Sequence, residues 1–222
     1  MTETKDTSKM QTPILWGRGS SSNVQKVIWA LHELGIDHHH VEVAGPFGGT
    51  DTPDFIAMNP NRTVPVWQTS EITLWESQAI LRNLARSNDA LYGAGELAMA
   101  EVDRWLDWFA TVYWPPIRLL FVETFREKSL KPYQPRALET VAVVQAATDL
   151  LAGQAAQHDY LAGPDFTIAD IAVAIGVNRM LGLDYGISLP PALNDWKGRV
   201  TARPGYKHAT KGEPDLPGHR HA

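Results

Sequence analysis

Apolar residues first recur at helical spacing from Val24: Val24, Val27, Ile28, Leu31 and Leu34 fall on one stripe, and Gly35 supplies a left-handed stop. A helix is predicted there, with Ser22 or Asn23 as its N-cap. Before it, Ile14-Leu15-Trp16 reads as a short buried strand, ended by the turn-rich Gly17-Arg18-Gly19-Ser20-Ser21-Ser22. After it, His38 to Val43 reads as a second strand and Gly45-Pro46-Phe47-Gly48-Gly49 as an adaptable loop. Thr52-Pro53 has the cap-then-proline signature of a short helix, Asp54 to Met58, which Asn59-Pro60 ends. Val64, Val66 and Trp67 are strand formers, but Pro65 lacks an N–H and marks a strand edge or first residue. A turn at Ser70-Glu71, a strand from Ile72 to Trp75 and a helix from Ser77 to Arg86 follow. The order β-α-β-α-β-β-α implies a mixed sheet with helices on both faces.

Past a linker running from Ser87-Asn88-Asp89 to Gly93-Ala94-Gly95, the pattern is helical only. Leu97 to about Phe125 reads as one long aromatic-rich helix, kinked by Pro115-Pro116. Ala137 to Ala156 is a second. Phe166-Thr167-Ile168-Ala169-Asp170 opens a third through a capping box with Asp in the usual Glu place, and the apolar run after it predicts a central, buried helix. Leu193 to Thr201 reads as the last helix, closed by Arg203-Pro204. The domains are then 13–88, a sheet with helices, and 96–210, all helical, between tails at 1–12 and 211–222 expected to be disordered.

Composition narrows the function. At 222 residues, 44% hydrophobic and 20% charged, the chain suits a globular protein with a sizeable core. A net charge of -5 without basic runs interleaved with aromatics argues against a nucleic-acid surface. The absence of cysteine excludes disulfides, thiolate metal sites and a Cys nucleophile, so any thiol handled here belongs to a ligand. The polar first residues lack a signal-peptide core, and no stretch approaches the ~20 apolar residues of a membrane span, so a cytoplasmic protein without membrane contact is expected. His38-His39-His40 does not suggest a metal site, because alternate strand residues face opposite ways.

The candidate chemistry lies at two backbone edges. The Val64–Pro65 bond is a candidate for the cis form, which would turn the main chain of Val64 outward. Ser77 falls in the first turn of a helix, where free N–H groups and the helix dipole favour a carboxylate. Together these edges suit a small peptide-like ligand. Taken singly, Ser77 also reads as an ordinary cap, and Ser20 to Ser22 as a flexible turn.

The Ser-rich turn before Val24-Gln25-Lys26-Val27, the run Asn59-Pro60-Asn61-Arg62-Thr63-Val64-Pro65, Glu76-Ser77-Gln78-Ala79-Ile80 and the Phe166–Asp170 capping box resemble the glutathione S-transferase family. The resemblance spans residues 14 to about 204. It implies a thioredoxin-like amino-terminal domain joined to an all-helical domain, glutathione as co-substrate, no metal, a homodimer and a role in detoxification. Pro65 corresponds to the family's cis-proline, and Val64 would pair its main chain with the cysteinyl unit. Glu76 and Ser77 match the acidic-hydroxyl pair that holds the γ-glutamyl end. Arg62, with Thr63 beside it, stands where some classes bind the glycyl carboxylate, and Thr50 replaces a second basic contact. Ser22 matches the serine that holds the thiolate in some classes, Asn23 the asparagine of certain bacterial and fungal classes, and Ser21 is third. The missing cysteine counts against a zeta-type isomerase and against cysteine-dependent glutathionyl exchange.

The chemistry needs a donor aimed at the glutathione sulfur, which favours the thiolate and lowers its pKa. A shift of one or two units from ~8.5 is worth roughly 1.4 to 2.7 kcal/mol. The thiolate then attacks a small apolar electrophile held beside it, with Trp108, Tyr113 or Trp114 lining that pocket. Two alternatives are a glutathione-dependent peroxidase or disulfide-bond reductase, raised by Asn23, and a non-catalytic binding protein of the same fold. Phe47 and Trp75 suit a subunit interface, Asp103 or Arg104 is a candidate to reach the partner's glutathione, and Tyr206 with the tail is a candidate cover.

Overall fold

The computed structural model describes residues 12–126, 128 and 134–211; both expected disordered tails lie almost wholly outside them. The first half runs β1 (Ile14–Trp16), α1 (Ser22–Glu33), β2 (His39–Val41), α2 (Pro53–Met58), β3 (Val66–Gln68), β4 (Thr73–Trp75) and α3 (Ser77–Ser87). This is the element order read from the sequence. The sheet order is β2-β1-β3-β4: β1 is parallel to β2, and the other two pairs are antiparallel. A helical crossover forces the first relation and a tight turn permits the last. Leu15 and Trp67 are partners in the ladder and join the main core, while their neighbour Val66 turns to the opposite face beside Phe55 of α2. Sheet alternation thus places α1 and α3 on one side and α2 on the other. His38 and His40 share a face, with ring centroids 6.4 Å apart.

The second half holds α4 (Glu96–Trp108), α5 (Trp114–Phe121), α6 (Pro135–Ala155), α7 (Ile168–Gly182), α8 (Pro191–Thr201) and α9 (Pro204–Thr210). The expected long helix from Leu97 is interrupted by a wide π turn at Phe109–Tyr113, ahead of the prolines rather than at them. Pro115 and Pro116 offer no N–H to the preceding turn, and Trp114, the last residue with one, bonds five residues back to the Phe109 carbonyl. A second wide turn spans Val122–Arg126. The sequence also stopped the helices too early. Pro204 opens α9 instead of closing α8, because proline is already shaped for a first helical turn.

Helix α7 is buried along nearly its whole length and is locked at its start by the capping box of Thr167 and Asp170. The Asp170 carboxylate accepts from Leu161 N (2.9 Å), Thr167 N (2.9 Å), Thr167 Oγ1 (3.2 Å) and Trp196 Nε1 (2.9 Å). Helix α1 packs against α3, α7 and α9, so it joins the two halves. Gly205 permits the contact with α9, since a Cβ there would lie 2.5 Å from Trp29 Cδ1. Tyr206 packs edge-on to Trp29, with centroids 5.2 Å apart, and takes no part in lining the main cavity.

Candidate active site

The start of α1 sets the site. Ser21, not Ser22 or Asn23, is the N-cap; its backbone is extended and its side chain makes no capping bond. Ser22 and Asn23 therefore occupy the first helical turn, where backbone N–H groups have no partner within the helix and the dipole end is positive. They face a cavity of about 580 Å³ between the two halves, within the ~300–1,000 Å³ usual for small-molecule sites.

One wall carries Ser21, Ser22, Asn23, Arg62, Thr63 and Val64, bringing together six of the residues selected from the sequence. Thr50 and the loop residues Ala44, Gly45 and Pro46 continue it. The Val64–Pro65 peptide is cis, and Pro65 is buried behind the lining. Opposite stand Trp114, Arg118, Phe121, Val122 and Arg179.

Of the three aromatics expected to line the pocket, only Trp114 does. Tyr113 is fully buried, its hydroxyl lies 3.4 Å from Thr148 Oγ1, and burial pushes its phenol pKa up. Trp108 stacks on Tyr113 and borders a separate cavity of about 420 Å³ with Arg104, Trp105 and Leu150. The wide turn brings residues five apart onto one face, so that Trp108 stacks on Tyr113 at 5.4 Å and Phe109 on Trp114 at 5.7 Å, and only the second pair contributes a residue, Trp114, to the cavity lining. Asp103 is likewise committed within the chain, to Arg82 at 2.5 Å and Tyr92 at 2.7 Å, while Arg104 pairs with Glu101.

Glu76 and Ser77 do not line the cavity. Glu76 is an exposed N-cap at φ 70°, and Ser77 is buried at the first position of α3. They connect to the site through Lys26, which is only 1% exposed. Its Nζ donates to Asn23 Oδ1 at 2.9 Å and to Ser77 Oγ at 3.4 Å, and it lies 4.5 Å from the Phe109 ring centroid. Desolvation lowers the Lys26 pKa to about 7, with Glu76 opposing that shift. Gly176 of α7 keeps Phe109 in place, because a Cβ there would meet the ring at 2.5 Å.

Arg179 makes the second unforeseen contact. This buried α7 residue donates from Nε to Ser22 Oγ at 3.0 Å and from a terminal nitrogen to the Ser20 carbonyl at 3.3 Å. A hydroxyl has one hydrogen, and with the Arg179 bond entering Oγ that hydrogen is left to donate elsewhere. A positive neighbour also makes it a stronger donor. Lys26 and Arg179 escaped the sequence reading because each sits in a helical pattern as an ordinary polar position. The one available signal was a cation inside an otherwise apolar run, Lys26 before Val27-Ile28-Trp29 and Arg179 before Met180-Leu181.

Residues 20–87 match the family model described as Glutathione S-transferase, N-terminal domain, and residues 106–204 that described as Glutathione S-transferase, C-terminal domain. The chain is 30% identical over 201 residues to Glutathione S-transferase GstB of Escherichia coli (strain K12), covering 87% of this chain and 95% of that protein. It is 29% identical over 203 residues to Glutathione S-transferase 4 of Zea mays, covering 88% and 91%. Among solved structures it resembles the theta class glutathione S-transferase of Xanthomonas axonopodis pv. citri with glutathione bound, with a TM-score of 0.82, 33% identity and coverage of 91% and 98%.

Proposed function

Because the chain belongs to the glutathione S-transferase family, we propose that it binds glutathione along the Arg62–Val64 wall and activates the thiol at the first turn of α1. Ser22 is the main donor to the sulfur. The observation that carries this is the Arg179 bond into Ser22 Oγ, which leaves the hydroxyl hydrogen for the ligand. Val64 meets the cysteinyl unit, Arg62 the glycyl carboxylate, and Ser77 with Glu76 the γ-glutamyl end. The thiol proton passes to solvent and the sulfur lone pair forms a bond to the carbon of a small hydrophobic electrophile. A halide or other leaving group departs with its bonding pair. Trp114 and Phe121 supply the apolar surface for that partner.

Titration of the bound thiol in Ser22→Ala, Asn23→Ala and Ser21→Ala tests the assignment. An unchanged thiol pKa in Ser22→Ala would transfer the role to Asn23. A second reading, peroxidase or disulfide-bond reductase activity, is favoured by Asn23 itself: Lys26 takes its carboxamide oxygen, which leaves its NH2 group to face the cavity. Turnover of hydroperoxides or disulfides without turnover of aryl halides selects that reading. Failure to bind immobilised glutathione leaves the non-catalytic binding protein. Exposed Phe47 and Trp75 support a homodimer. A cytoplasmic detoxifying role belongs to the same proposal. Among the described residues no helix is long and apolar enough to cross a membrane.

A further inference from the structure

We propose that the electrophile taken by this cleft is an anion: an apolar body bearing a carboxylate or similarly charged group, held by Arg118 with Arg179 behind it. This rests on the transferase reading and names its substrate class. The chain as a whole is acidic, with 25 Asp and Glu against 20 Lys and Arg. Its main cavity reverses that balance. Among the described residues the lining contains Arg18, Arg62, Arg118 and Arg179 and no Asp, Glu or His.

Glutathione does not account for all four. Arg62 adjoins Thr63 and Val64, and Arg18 packs its side chain near Gly45, both on the wall assigned to the tripeptide. Arg118 and Arg179 stand on the opposite wall, among Trp114, Phe121 and Val122, where the second substrate must lie. Glu42 accepts from Gly19 N at 3.2 Å, and Glu123, five residues past Arg118, pairs with Arg136 at 2.6 Å. A neutral apolar electrophile has no use for the guanidinium of Arg118, whereas an anionic one gains a charge-assisted contact from it. Arg179 lies 4.9 Å from the Phe121 ring, so charge and apolar surface are presented together. Exposed Arg118 presents the planar fork that suits a carboxylate.

The test compares 4-chloro-3-nitrobenzoate with its methyl ester, each rate divided by its uncatalysed rate with glutathione. The thiolate displaces the same chloride in both. The acid is expected to show a rate enhancement about 10- to 100-fold above the ester, the worth of one charge-assisted contact. Arg118→Gln should collapse that ratio, and Arg118→Lys should keep part of it. An acid no better than the ester, or an Arg118→Gln that lowers both equally, overturns the proposal; the second outcome would make the cations servants of the thiolate. Calorimetric binding of the two compounds without glutathione separates the failures. Tighter binding of the acid without any turnover overturns the transferase reading and keeps the anion site, whereas binding of neither compound overturns the anion site.

Discussion

Asp170 and Lys26 are both withdrawn from water, at 0% and 1% exposure, yet the protein surrounds them in opposite ways. Asp170 is closed: burial raises its pKa, and four donors, all from residues 161–196, oppose that shift and fill its oxygens. Lys26 is open towards the chemistry. Of its partners, Asn23 lines the cleft and Ser77 opens α3, and of its two aromatic neighbours, Phe109 and Trp114, the second lines the far side of the cleft. A saturated buried ion holds a fold together, whereas one whose partners belong to the site can change the site's charge.

The sharpest way to break this contrast is Asp170→Ala. It leaves buried donors of Leu161, Thr167 and Trp196 without an acceptor, so a loss of about 3 kcal/mol or more is expected, read as a lower denaturation midpoint. A loss below about 1 kcal/mol would mean that the box is ornamental. Next in size, Ser22→Ala should raise the pKa of the bound thiol by one to two units, a cost of about 1.4 to 2.7 kcal/mol, and lower kcat/KM at neutral pH by a similar factor. Folding stability should stay comparatively unaffected.

Lys26→Met tests the open side through pH. The unfolded lysine keeps its proton up to about pH 10.5, but the folded one releases it near 7. Between those values the unfolded chain holds more protons, so rising pH stabilises the wild type through this group. Below pH 7 both states are charged and the full burial penalty remains. The advantage of the Met variant should therefore be largest below pH 7 and shrink as pH rises, with a slope approaching about 1.4 kcal/mol per unit. A gap that does not vary between pH 7 and 10 would refute the lowered pKa. The smallest effect is expected for Thr52→Ala, which removes the acceptor for Phe55 N at the start of α2 and should cost about 1 kcal/mol in thermal or urea unfolding. It touches neither buried ion, so any large loss of activity would show that α2 shapes the cleft.

Much of the fold was legible because its signals are short-range. The stripe from Val24 to Leu34, Thr52-Pro53, and Thr167 to Asp170 each specify an element within a few residues. The errors arose where one local signal allowed two outcomes. Proline can stop a helix or start one, and at Pro204 it starts one. A double proline can kink a helix or widen the turn before it, and at Pro115-Pro116 it widens. The widened turn stacks Trp108 on Tyr113, five residues on, and leaves Trp114 alone of the three to line the cavity.

Spacing alone therefore determined the order of elements and the split into a sheet half and a helical half, because hydrogen bonding and sterics between near neighbours decide these; the residues of one wall of the cleft came with the family resemblance. Tertiary structure alone decided which charges enter that cleft. Lys26 reaches Ser77 across 51 positions and Arg179 reaches Ser22 across 157, separations over which no local preference acts. Only the packing of α1 against α3 and α7 brings those groups within hydrogen-bond distance.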